Sequence, residues 1–135
     1  MAIGNQNQDV DPLVKRAVAD AVVERASSEL QKLMQELAGA LDPFPRFMGI
    51  ESVQALEVEP SGIVSSDRGC VVVCPDGELR ELLLRILPGD MDGGGIDQTD
   101  EIRDLDLSPG DFVAYAHLAV RQMASIIEER QQERA

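Results

Sequence analysis

Residues 70–87, CVVVCPDGELRELLLRIL, decide the fold of this chain. The run from Cys70 to Cys74 is short, uncharged and rich in β-branched residues, which is typical of a buried strand. The tripeptide 75–77, PDG, then favours a tight turn. The run 78–87 fits a helical face as well as a strand, because its leucines satisfy both spacings. We favour the strand, since it completes a hairpin and a two-stranded sheet would be only marginally stable.

A long helix is predicted upstream of this hairpin. It begins at Asp11-Pro12, because Asp caps free backbone N–H groups and Pro fits the first helical position. Apolar residues then recur every three or four positions, as expected for one helical stripe: Val14, Val18, Val22, Ala26, Leu30, Leu33, Leu37 and Leu41. A helix of about 30 residues is about 45 Å long. This exceeds the diameter of a domain of this size, so we expect part of the stripe to pack on another chain.

The remaining elements complete an α+β fold. A proline elbow at 42–45, DPFP, ends the first helix, and residues 53–58 form another strand candidate. Ser108-Pro109 caps a last helix whose first half is almost wholly apolar. We therefore predict a small antiparallel sheet of two or three strands, with the long N-terminal helix and the C-terminal helix packed on one face. Residues 1–10 are predicted to be a disordered tail, and 11–135 a single domain with an acidic glycine-rich loop at 88–107.

The charge of the chain excludes several classes of function. It carries 25 acidic and 12 basic residues, a net charge of −13, so it lacks the basic surface that nucleic acid or an acidic membrane needs. No apolar run is long enough to span a bilayer, and the first residues do not resemble a signal peptide. We expect a soluble, cytoplasmic protein. The acidity is uneven, because residues 90–111 hold eight acids and one arginine, whereas both terminal helices are neutral.

The acidic loop partly matches a calcium-binding loop. If Asp90 is position 1 of an EF-hand loop, then Asp92, Gly95 and Glu101 occupy positions 3, 6 and 12 as required. Position 5 is glycine and position 8 is aspartate, which depart from the pattern. A flexible loop is therefore the favoured interpretation. Binding of Ca²⁺ by Asp90, Asp92 and Glu101 is one alternative, and docking of the loop on a basic protein partner is another.

No catalytic or cofactor-binding residues emerge from the sequence. Cys70 and Cys74 would lie about 13 Å apart on one face of a strand, too far for a disulfide. A zinc site lacks further ligands, so both are expected to be buried thiols. The single histidine, His117, lies in an apolar stretch and is expected in the core or an interface. An enzyme whose site is not visible in the sequence remains an alternative.

The favoured function is therefore that of a small non-catalytic interaction, adaptor or regulatory module that forms a homodimer through its terminal helices. Phe44 and Phe47 flank the proline elbow, where they either close the core or anchor a partner. The predicted interface consists of apolar residues from both helices and this elbow: Leu30, Leu33, Leu37, Phe44, Phe47, Phe112, Met123 and Ile127.

Overall fold

The computed structural model describes residues 10–50, 52–59, 69–87 and 97–134, and this part of the chain has the predicted α+β fold. Its two helices are α1 (Pro12–Ala40) and α2 (Pro109–Arg134). The sheet contains β1 (Leu56–Glu57), β2 (Cys70–Val73), β3 (Leu79–Leu87) and β4 (Asp97–Asp104), and a short 3₁₀ turn spans Phe47–Gly49. The predicted tail 1–10 lies outside the described residues except for Val10.

Both helices begin where their capping residues predict. The Asp11 carboxylate accepts a hydrogen bond of 2.9 Å from the Leu13 N–H, and Pro12 occupies the first turn. The Ser108 hydroxyl likewise accepts a hydrogen bond of 3.2 Å from the Asp111 N–H at the start of α2. Each cap satisfies a backbone donor that the helix itself cannot bond.

The four strands form one antiparallel sheet in the order β1-β2-β3-β4. The strand interpretation of 78–87 is confirmed, since Cys70 pairs with Leu82 and Val73 with Leu79 across the PDG turn. The predicted loop at 88–107 needs correction, because β4 occupies 97–104 and pairs with β3 over eight residues. Acidic residues have low strand propensity, but the ladder to β3 satisfies their backbone groups and overrides it. The described sheet thus has four strands, where two or three were predicted.

The two faces of the sheet are covered by different parts of the chain. Both helices pack on one face, where Val71 and Val73 belong to the same hydrophobic cluster as Met34, Tyr115 and Met123. The opposite face is covered by the segment that follows the proline elbow. Its buried side chains form a second cluster with the sheet: Phe47, Val53, Ala55, Val72, Cys74 and Leu82.

The hairpin turn fixes the C-terminal half of α1. Gly77 has a φ of +82°, and a Cβ atom there would lie 2.5 Å from the Gln35 Cα, so the turn and the helix backbone are in close contact. The Gln31 and Gln35 side-chain amides donate hydrogen bonds of 3.1 and 3.3 Å to the Glu78 carboxylate. These contacts hold α1 at residues 31–35, far from its N-terminus.

Candidate interaction surface

The first half of α1 does not contribute side chains to the hydrophobic core. Every residue from Pro12 to Val22 is exposed, and burial begins only at Val23. In the second half, Met34 and Ala38 are buried at 0 and 3% exposure, while Leu30 and Leu37 are half-buried against the same cluster. The helix therefore has a docked half and a free half.

The apolar stripe of α1 winds around the helix instead of following one side. Four residues turn an α-helix by about 400°, so a strict spacing of four drifts by about 40° per step. Val18 and the buried Met34 are separated by sixteen residues, which is a rotation of about 160°. The early part of the stripe thus points away from the core to which the later part packs.

We call the exposed early part the valine face; it consists of Val14, Val18 and Val22, with relative exposures of 56, 55 and 61%. Valine is a poor helix former at an exposed site, because its branched side chain loses rotamer freedom. In helix propensity alone, alanine or glutamate would serve the folded monomer better at these three sites. A contiguous exposed apolar stripe of this kind is characteristic of an interaction surface.

Two opposite charges stand at the ends of the valine face. Asp11 and Arg25 are both exposed and lie seven residues before and after Val18. Seven residues are about two turns, so Arg25 lies on the same side of α1 as Val18. Asp11 is the N-cap, and its carboxylate also accepts the Leu13 N–H. Arg25 makes no ion pair within the described parts of the chain. Ala21, also exposed, lies between the valines and leaves room for close approach of another backbone.

The structure divides the interface residues predicted from sequence into two groups. Leu33 is 43% exposed, and Leu30, Leu37, Phe112 and Ile127 are half-buried beside the core. The prediction is corrected for Phe44, Phe47 and Met123, which are buried at 5, 3 and 0% exposure and therefore belong to the interior of one chain. The exposure of Val14, Val18 and Val22 was not predicted, and the strict four-residue spacing after Val14 is the signal that could have indicated it.

The position of Glu101 does not fit the geometry of an EF-hand loop. That residue lies on β4 and pairs with Arg103 at 3.2 Å, whereas position 12 of an EF-hand lies at the start of a helix. Asp90 and Asp92 lie outside the described residues. Among the residues that are described, no group of three His, Cys, Asp or Glu side chains is arranged to hold a metal ion.

The candidate nucleophiles are poorly placed for catalysis. Cys70 is half-buried and Cys74 buried, both as free thiols. Burial raises the pKa of both, and the charges of Glu57 and Glu59 raise that of Cys70 further, so the unreactive thiol forms dominate at neutral pH. His117 is exposed on α2, so the expectation of a core residue is wrong, and the alternative of an interface residue stays a prediction.

Three grooves in the described ranges of the chain are open to solvent and are lined by neither histidine nor cysteine. One of them, of about 420 Å³, lies between the two helices. Its walls are formed by Glu24, Ser27, Ser28, Gln31, Leu107, Pro109 and Phe112. No described helix combines the length and the apolar character needed to cross a bilayer.

Comparison with protein-family models, with curated proteins and with solved structures finds no match to this chain. Its function must therefore be inferred from its own residues and their contacts.

Proposed function

We propose that this protein is a non-catalytic interaction module that associates with itself, as a homodimer, through the valine face of α1. The observation that carries the proposal is the first half of α1, a capped and regular helix in which Val14, Val18 and Val22 remain more than half exposed. A helix that projects from its domain with an apolar stripe is suited to packing against another helix.

The expected affinity follows from the exposure of the valine face. Complete burial of a valine is worth about 1.5–3 kcal/mol, and these three are slightly more than half exposed, so each contributes about 1 kcal/mol on association. Six valines in a symmetric pair contribute about 6 kcal/mol. This gain alone corresponds to a dissociation constant of about 40 μM, and the loss of rotational and translational freedom weakens the association from that value.

The distribution of charge favours the same surface. The segment 12–41 contains four acidic and four basic residues, so α1 can approach a second α1 without net repulsion. Most of the acidity of the chain lies elsewhere, in residues 90–111.

Sedimentation equilibrium between about 10 μM and about 1 mM tests the proposal. We expect the mean mass to rise from 14.7 kDa toward twice that value. The triple variant Val14→Gln, Val18→Gln, Val22→Gln should stay monomeric over this range. A matched control replaces two apolar residues off the valine face, Leu13→Gln and Met48→Gln, which are 73 and 75% exposed, and it should associate like the natural protein. A monomer at every concentration, or equal association of both variants, would refute the proposal.

A further inference from the structure

We propose that two copies of this chain pair their α1 helices antiparallel, about a twofold axis that passes beside Val18. This inference rests on the proposed self-association and specifies its geometry. In this arrangement Val18 meets the partner's Val18, and Val14 meets the partner's Val22. Asp11 of one copy then lies opposite the partner's Arg25, and the same contact occurs again at the other end.

The sequence of the valine face is complementary to its own reverse. Val14 and Val22 lie four residues on either side of Val18, and Asp11 and Arg25 lie seven residues on either side. A twofold interface uses the same patch on both subunits, so each group must find its complement at the mirrored position. Apolar positions mirror apolar positions here, and the acidic end mirrors the basic end.

The end charges decide between the two orientations. A parallel pair would place Asp11 against the partner's Asp11 and Arg25 against the partner's Arg25, which is repulsive at both ends. The antiparallel pair replaces both repulsions with attractions. Exposed ion pairs add little to affinity, but they are effective in selecting orientation and register.

The docked half of α1 determines the shape of the resulting dimer. Met34, which enters the core, lies sixteen residues beyond Val18 along the helix, or about 24 Å. Antiparallel pairing therefore places the two cores at opposite ends, about 48 Å apart along the shared helix axis.

Disulfide cross-linking measures the orientation directly. The variants Val14→Cys and Val22→Cys are oxidised separately and as a mixture, and the linked peptides are identified by mass spectrometry. Natural protein, treated in the same way, controls for Cys70 and Cys74. In the antiparallel pair, the mixture should form a disulfide between position 14 of one variant and position 22 of the other. Val14→Cys alone should not link at position 14, because two copies of that position lie about 12 Å apart along the axis.

A charge reversal provides an independent measurement. Arg25→Glu places a carboxylate opposite the partner's Asp11 in the antiparallel pair, so we expect association to weaken about tenfold at low salt and less at about 0.5 M NaCl. In a parallel pair, one like-charge contact would only replace another. Arg16→Glu, the same charge change on the opposite side of α1, is the matched control and should have little effect.

The outcomes separate this inference from the proposed function. A dimer in which Val14→Cys links to itself, or in which Arg25→Glu associates as well as the natural protein, overturns the antiparallel geometry and leaves self-association intact. A monomer up to about 1 mM overturns both. A disulfide between positions 14 and 22 in the mixture, together with weakened association of Arg25→Glu, supports the antiparallel pair.

Discussion

Replacing Gly77 with alanine should strongly destabilise the fold, although it adds only one methyl group to a turn. Gly77 has a φ of +82°, which costs a non-glycine residue about 1 kcal/mol. The added Cβ would also lie 2.5 Å from the Cα and 2.8 Å from the backbone nitrogen of Gln35. Because backbone atoms of a helix cannot move aside singly, α1 must shift as a body, at a cost of about 1–3 kcal/mol.

That shift would also stretch the hydrogen bonds that Gln31 and Gln35 donate to Glu78, each worth about 1 kcal/mol. We expect a total loss of about 3–5 kcal/mol, a large fraction of the roughly 5–15 kcal/mol typical of a domain. Urea unfolding followed by circular dichroism, at a concentration where the chain is monomeric, measures this loss.

Gly39→Ala is the matched control for this substitution. Gly39 lies near the end of the same helix, and a Cβ there meets nothing within 4 Å. It should therefore stabilise the protein by up to about 1 kcal/mol through helix propensity alone. A loss of less than about 1 kcal/mol in Gly77→Ala would refute the close contact between the turn and α1.

Three further predictions concern the second core, acid stability and calcium. Phe47→Ala should cost about 3–5 kcal/mol in urea unfolding, because the ring is buried, whereas Met48→Ala, at an exposed site, should change stability by less than about 0.5 kcal/mol. A bidentate pair with Arg80, at 2.7 and 2.9 Å, lowers the pKa of Asp76 below its ordinary value of 3.8. The pair therefore stabilises the fold above about pH 4, and this contribution is lost as the pH falls through the lowered pKa, so Arg80→Gln should flatten the decline of Tm between about pH 4 and pH 2. Millimolar CaCl₂ should leave Tm unchanged, since Glu101 lies on a strand; a calcium-dependent rise in Tm that Glu101→Gln removes would contradict this assignment.

The sequence predicted those elements whose limits are set by local chemistry. The caps at Asp11 and Ser108 act within one turn of their own position, and both helices begin there. The β2–β3 hairpin followed from its turn and its β-branched strand. By contrast, β4 is acidic and depends on eight pairings with β3, so nothing local distinguishes it from a loop. The burial of Phe44, Phe47 and Met123 also depends on distant packing partners, which is why the sequence placed them in an interface.

The apolar stripe of α1 shows a more specific limit of sequence interpretation. Periodicity shows which apolar side chains share one side of a helix. The neighbours that bury them depend on where the helix docks. Here the contacts of Gln31 and Gln35 with the hairpin fix the docked half, and the drift of the stripe turns Val14, Val18 and Val22 away from it. Selection for monomer stability alone would replace these valines with better helix formers, each gaining up to about 0.7 kcal/mol. Their presence along one exposed side therefore fits a role that the monomer does not fulfil, and burial against a second α1, as we propose, would provide that role.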